Sequence, residues 1–589
     1  MNKKTLYGII AIFVVIIIVI AAFAVMSIQS SKKPSQTTPV TFTIGVTQGT
    51  KTLDPAIAMD FTSDVAVNNL YDSLFAVSLK NGRTIVVPNV VTSYTVSPDG
   101  LNYTLNIRQG ILFHDNSTLS AYDVAFSFNR MLTINQGLTY LWNGILTAGN
   151  VTALNNTIVR IHLLKPYAPF ISTLVNVYVV NEKLVIQHLL FNTTFNFGKY
   201  GDYGITWLSS HDAGSGPYTL AYYDPTTKVV FKKFSNYWKG WSSNQPDTAV
   251  MEVFTEEAAV KMAIESGTID MTDYTLAVST YQALANVSGI IVQKDPSYNL
   301  LHIMMNCKMP PTNNLYVRQA FSYAFDYNTA ITKILPGDVQ AQGPVVNTMY
   351  GHNDSVLTYN FNLTKARELL NKSGYTPSQL SALNMKIVYV NSLEWEAQIA
   401  AMFKYDLAQL GINITLEPLP WMQMVSLTSN YTTEPTFFIL SSTAPYPDPS
   451  YYLMRYTMNA TGYTAAFFYK NQSLSNLIMK AVTTLNDTQR LKLYGIIQED
   501  IAYQAPCIWF ANDLHKIAYW NYVHGYQFYG VLGKDIYFWN FHIYKNVTSS
   551  VISSNTISIN NLNDPFFTLM SSENKLIYFN KFFNFYFLR

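Results

Sequence analysis

Leu6 to Ile28 carries no charged side chain and is apolar almost throughout. As a helix this run of 23 residues would reach roughly 34 Å, enough to cross a bilayer. Lys3 and Lys4 stand before it, and the positive-inside rule keeps them in the cytoplasm and puts everything after Ile28 outside. The remainder must therefore fold in an extracytoplasmic setting. The run is longer than the apolar core of a signal peptide, which favours a retained membrane anchor over residues 1–29. Ala22-Phe23-Ala24 resembles a small-residue cleavage site, the alternative being a removed signal segment. No cysteine stands directly after the run, so a lipoprotein anchor is not expected. Residues 30–40, which include SSKKPSQTTP, read as a flexible spacer.

A second feature agrees with that location. Asn-X-Ser/Thr sequons recur from Asn102 to Asn546, and such sites accept N-glycans in secreted proteins. A chain rich in Asn and Thr also makes some by chance. Only 13% of residues are charged, against about 25% in an average soluble domain, so the polar surface comes from Asn, Ser, Thr and 42 Tyr. Together these fit a glycosylated cell-surface protein, archaeal ones included. The 38 basic and 36 acidic residues nearly cancel, which implies no basic face and argues against nucleic acid as a partner. Cys307 and Cys507 allow one disulfide but no disulfide framework, and two separate buried thiols are the plainer reading.

The length of 589 residues exceeds one ordinary core and predicts two or three domains. From 41 to 545, short apolar runs alternate with amphipathic stretches. Phe42–Val46, Val229–Phe234, Met385–Val390 and Ile412–Leu416 read as strands. Helices are expected over Asp123–Leu132, opening near Ser120, over Glu256–Ser266 up to Gly267, and over Glu394–Leu410 up to Gly411. This mixture makes an α/β or α+β protein. The segment 546–589 is Ser/Asn-rich, ends in YFNKFFNFYFLR and reads as a separate C-terminal extension.

Catalytic motifs are missing. None of the nine histidines forms an i, i+4 pair, and HExxH, CxxC, GxSxG and GxxxxGK[ST] do not occur. No metal site, cofactor or nucleophile–base set is indicated, so an enzyme is not the expected reading.

Several segments instead occur in a telling order: TLDPAIAMD (52–60), NNLYDSLF (68–75), SPDGLNYTLNIRQGILFHDNSTLSAYDVAFSFNRML (97–132), GSGPYTL (214–220), FSNYWKG (234–240) and SGTIDMTD (266–273). PPTNNLYVRQAFSYAFDYNTAITKIL (310–335), KARELLNKSGY (365–375), LGINITLEPLPW (410–421), PYPDPSYYL (445–453) and QEDIAYQAPCIWF (498–510) follow. Across 41–545 this series resembles the family 5 extracellular solute-binding proteins of ABC importers, whose members bind oligopeptides, dipeptides or nickel and in some cases oligosaccharides. Asp99-Gly100 is a turn ahead of an alternating strand, and Arg108, His114, Asp123 and Arg318 read as architectural.

The resemblance implies an α/β fold of two lobes around a hinge, of the type II periplasmic-binding-protein kind with an extra inserted domain. Lobe I would take 41–60, 205–300 and 500–545, the inserted domain 61–204 and lobe II 301–499. It further implies a monomer that closes on a small polar oligomer and presents it to permease subunits. Trp421 matches a tryptophan that faces the ligand in peptide-binding relatives, and Ala444–Tyr451 matches their cleft loop. Peptide binders carry an Asp three residues before the acidic residue of that loop's D/E-P pair. Here the pair begins at Asp448 and the earlier position is Pro445. Without a substitute at Asp448 or Asp60, a peptide's α-ammonium would be buried unpaired, which disfavours peptides and draws the expectation toward an uncharged oligosaccharide. Phe61, Trp142, Trp395, Trp421 and Tyr446 are then candidate stacking platforms, and Met59, Asp60, Asn306, Gln423 and Asp448 candidate contacts. Two other readings are a membrane-anchored surface hydrolase, for which Asp60 and Asp448 form the carboxylate pair, and a sensory or adhesive protein on the same fold.

Overall fold

The computed structural model describes residues 39–545 except 429, 459, 461–469 and 532. The expected membrane segment, most of the spacer, the C-terminal extension and the sequons at Asn459 and Asn546 lie outside the described residues. Among the described residues no helix is long and apolar enough to cross a membrane. The described part through Ile543 is one compact unit.

Its frame is a mixed sheet of ten strands. In chain order these are β1 (Thr41–Val46), β2 (Tyr218–Asp224), β3 (Lys228–Lys233), β4 (Thr248–Val253), β5 (Met271–Thr272), β6 (Ile290–Met305), β7 (Lys386–Val390), β8 (Thr415–Leu419), β9 (Phe437–Thr443) and β10 (Cys507–Trp520). Across the sheet the order is β8-β7-β9-β6-β10-β5-β1-β4-β3-β2. β1 runs parallel to β4 and β5, and β7 parallel to β8 and β9, so each half has a parallel core. The expected strand at Ile412–Leu416 is displaced. Ile412 and Ile414 are buried in the core beneath, and the ladder with β7 begins only at Thr415.

Only β6 and β10 run through both halves. They pair from Ile290–Trp520 to Met304–Cys507, with the register broken between Pro296 and Leu300. Pro296 has no N–H to offer the ladder. Side chains bridge the gap: Ser297 Oγ donates to the Asp513 carbonyl at 2.8 Å, and Asn299 Nδ2 to Asp513 Oδ2 at 3.2 Å.

A separate antiparallel sheet of four strands (Val91–Val96, Asn102–Ile107, Ile158–His162, Val151–Asn155) is covered by the helix Ala121–Ile134. Tyr103, Leu105 and Ile107 alternate inward as the sequence predicts. Ser120 and Asp123 form a capping box that opens the helix. In the second half, Ile399, Ala400, Phe403 and Leu407 line one face of the helix Glu394–Ala408 and enter a core with Ile387, Phe437 and Ile439. Both cysteines are free, and burial pushes the Cys307 thiol up to about 12. Gly214 has a packing reason: a Cβ there would meet the Leu70 carbonyl oxygen at 1.8 Å.

Candidate functional site

The helix Phe61–Leu70 sets the site. Asp60 opens it as an N-cap in extended conformation: Oδ1 accepts from Ser63 N at 3.1 Å and Thr62 Oγ1 at 2.9 Å, and Oδ2 from Ser63 Oγ at 2.9 Å. Asp64 follows one turn later on the same face. Both line a cavity of about 400 Å³, the size of a small-ligand site. Its walls come from Met59, Asp60 and Phe61, from Asp273 and Tyr274 after β5, from Asn176 and Tyr178, from Ala444 and Pro445 after β9, and from Val531 and Lys534. Asn176 Nδ2 donates to the Pro445 carbonyl at 3.0 Å and joins two of those walls.

Gly533 brings Lys534 in. Its φ is +77°, and a Cβ would stand 2.6 Å from the Asp64 Cβ, so only glycine lets this turn pass the helix. Lys534 Nζ donates to the Val175 carbonyl at 3.1 Å and to the Tyr178 hydroxyl, and lies 4.4 Å from the Tyr178 ring centre. Burial lowers the Lys534 ammonium and Asp64 pulls it back up. Burial raises the Asp64 carboxyl, Lys534 opposes that shift and Asp60 adds to it. The Asp273 carboxylate is held by Thr47 N at 2.8 Å and Thr275 Oγ1 at 2.8 Å. Asp64, by contrast, has no side-chain hydrogen bond to any described residue while facing the cavity. Phe61 and Tyr274 form an edge-to-face pair at 4.7 Å in the same wall.

The site residues expected from sequence divide into two sets. Met59, Asp60 and Phe61 line the cavity, and so do Ala444 and Pro445 of the expected cleft loop. The others lie elsewhere. Trp142 is fully buried, its Nε1 donating to Thr173 Oγ1 at 2.8 Å, because its ring fills the core beside Phe128. Tyr446 is buried against Tyr167 and Ser450, each hydroxyl contact at 3.2 Å. Asp448 is also buried; its Oδ1 accepts from Ser450 N at 2.9 Å and Tyr494 Oη at 3.0 Å, and burial raises its carboxyl. Asp60 lines the cavity and Asp448 does not, so the two carboxylates do not form a pair across it. Asn306 spends its amide on the Tyr431 and Glu434 carbonyls at 2.8 and 3.3 Å. Trp395 packs toward Phe510 with ring centres 6.4 Å apart. Trp421 and Gln423 are exposed on the short helix Trp421–Leu427, and neither lines the cavity. Asp64, Tyr274 and Lys534 escaped the sequence reading. For Asp64 the available signal was its i+4 spacing from Asp60.

His114 is architectural: Nδ1 meets Asp212 Oδ2 at 2.6 Å and Nε2 the Gly216 carbonyl at 3.0 Å. Arg318 donates to the Gln504 and Thr312 carbonyls at 3.0 and 2.9 Å.

The family described as bacterial extracellular solute-binding proteins, family 5 (middle portion), matches residues 86–464. The dipeptide-binding protein of Escherichia coli K12 is 24% identical over 475 residues, covering 77% of this chain and 85% of the relative. Among solved structures, the ABC transporter-associated periplasmic binding protein DppA of Helicobacter pylori, in complex with peptide STSA, superposes with a TM-score of 0.68 at 23% identity, over 86% of this chain and 98% of that one. The ABC transporter substrate-binding protein CtaP of Listeria monocytogenes gives 0.74 at 21% identity, over 86% and 100%. The fold is the two-lobed α/β fold of these binding proteins. With the profile match spanning more than half its length, the chain belongs to family 5 of the extracellular solute-binding proteins.

Proposed function

We propose that this protein is the extracytoplasmic receptor of an ABC importer and that it captures a short peptide in the cavity beside Asp64. The charge balance of the cavity carries this reading: among the described residues Asp60, Asp64 and Asp273 stand against the single cation Lys534, and Asp64 has no side-chain hydrogen bond. A peptide's α-ammonium on Asp64 would satisfy both partners, whereas a neutral sugar would leave the excess negative charge unmet. The ammonium partner missing at Pro445 is then supplied by Asp64 in the same cavity. Peptide-binding relatives support the same ligand class.

In this reading residues 61–204 form the inserted domain, and the lobes meet where β6 and β10 lose register. Lobe I then resumes at Asp513 rather than at residue 500, because Cys507–Asn512 pairs with Leu300–Met304. Residues 1–29 tether a monomer to the membrane, glycans occupy a share of the sequons, and permease subunits receive the loaded form. None of the described sequon asparagines is buried, which leaves each open to an enzyme from solvent.

An oligosaccharide is the second reading, favoured by the Phe61–Tyr274 ring pair and by uncharged Pro445. Calorimetry of the full chain in mild detergent, with di- to penta-peptides and di- to penta-saccharides, separates the two. Peptide heat that disappears on N-acetylation, with affinity that falls at least ten-fold in Asp64→Asn, supports the proposal. Heat with saccharides alone overturns it.

A further inference from the structure

Two further cavities, of about 270 and 550 Å³, share Lys239, Tyr529, Trp539 and Asn540. The larger has no residue in common with the ligand cavity, and the smaller shares only Lys534 with it. At their junction stands Lys239. Its ammonium lies 5.0 Å from the Trp238 ring centre, 5.9 Å from Tyr237, 5.7 Å from Tyr537 and 5.8 Å from Trp539. Ring faces attract a cation but give its three N–H donors no oxygen. Lys239 has no hydrogen bond or ion pair with any described residue. The acid near it is already engaged: Asp72 accepts from Trp238 Nε1 at 3.0 Å, Ser215 Oγ at 3.1 Å and Tyr237 Oη at 3.1 Å.

The surrounding charge is positive. Arg108 lies over the Trp238 ring at 4.5 Å, so among the described residues Arg108 and Lys239 both stand beside Asp72, while Lys534, which also lines the smaller cavity, is matched by Asp64. The larger cavity adds the Trp241 ring and the Gln527 amide to the shared Trp539 ring and Asn540 amide. Gln527 is exposed and uses its carbonyl to accept from Tyr529 Oη at 3.0 Å, which leaves its amide N–H groups for a ligand.

We propose that Lys239 anchors a second ligand site, separate from the transport cavity, which takes an acidic sugar: a carboxylate on Lys239, the ring on tryptophan faces and hydroxyls on the amides. Neutral sugars would leave the ammonium unanswered. Flat aromatic acids would leave the amides so.

The full chain in mild detergent is titrated with glucuronate and galacturonate, with glucose and galactose, and with benzoate. Both uronates should bind, at least ten-fold more tightly than their neutral parents and than benzoate. Lys239→Gln should abolish that preference while the response to peptides is unchanged. Gln527→Ala, at an exposed position that folding tolerates, should weaken the uronates several-fold and serves where Lys239→Gln does not fold. Uronates that fail to bind, equal affinity for glucose, a preference for benzoate, or uronate affinity unchanged in these variants would each overturn the proposal.

Discussion

Arg130 grips Asp54 through both guanidinium nitrogens, Nη1 to Oδ1 at 2.7 Å and Nη2 to Oδ2 at 2.6 Å, with both side chains almost wholly withdrawn from water. Arg130 Nε also donates to the Tyr203 carbonyl at 2.7 Å. The pair ties the segment before the site helix to the helix Ala121–Ile134, and so fixes where Met59 and Asp60 emerge. Removing one partner strands a buried charge. Arg130→Met or Asp54→Leu alone should destabilise by about 3–5 kcal/mol. The double variant should lose less than the sum by about 1–3 kcal/mol, read from urea titrations. Additive losses would mean that the two groups are not coupled.

Gly533 carries a prediction for the site. Alanine there must hold a left-handed φ of +77° and push against the Asp64 Cβ 2.6 Å away. Gly533→Ala should displace Lys534, weaken peptide binding at least ten-fold and lower stability by about 1–3 kcal/mol. Unchanged affinity would show that the turn has room to shift.

Glu434 makes a test of stability against pH. It is buried, neither carboxylate oxygen has a hydrogen-bond partner among the described residues, and burial pushes its carboxyl up to about 10. The folded chain therefore holds a proton that the unfolded chain releases above the ordinary glutamate range. The stability from this group is complete below about pH 4.5 and falls by about 1.4 kcal/mol per pH unit above it. By pH 7 the loss is about 3 kcal/mol, and it continues until the pH passes the raised value. Glu434→Gln should remove that slope and unfold at higher denaturant concentration than the parent at pH 8, with little difference at pH 4. A parent and variant that melt in parallel from pH 4 to 8 would refute this account.

Much of the frame was legible because its signals are local. The alternation of Tyr103, Leu105 and Ile107 needs only a period of two, and Ser120 with Asp123 spells its own cap. Gly267 and Gly411 stand just past their helices with φ of +72° and +76°. The site was less legible because it depends on which way a side chain points. Trp142 and Tyr446 are aromatic like a stacking platform, yet the packing beside Phe128 and Tyr167 takes them inward. Asp448 sits in the expected loop, but its own turn consumes it. Lys534 reaches the cavity from a segment hundreds of residues after Asp64, a meeting no local spacing reveals.

The pair that does meet there gives ligand binding a pH dependence whose sign follows from Asp64. Burial holds its carboxyl well above the usual carboxylate range, with Lys534 opposing and Asp60 reinforcing the shift. An α-ammonium binds the ionised form, so peptide affinity should fall as the pH drops through the raised value of Asp64, while an exposed aspartate would still be fully charged. Each proton taken up on losing the ligand steepens the fall toward ten-fold per pH unit. Above neutrality Lys534, lowered by burial, begins to lose its charge, and the affinity of any peptide whose carboxylate rests on it should decline too. Calorimetry from pH 4.5 to 9 reads both limbs. In Asp64→Asn the acid limb should vanish with the affinity reduced at every pH, and an acid limb that persists unchanged would assign the ammonium to Asp60 instead.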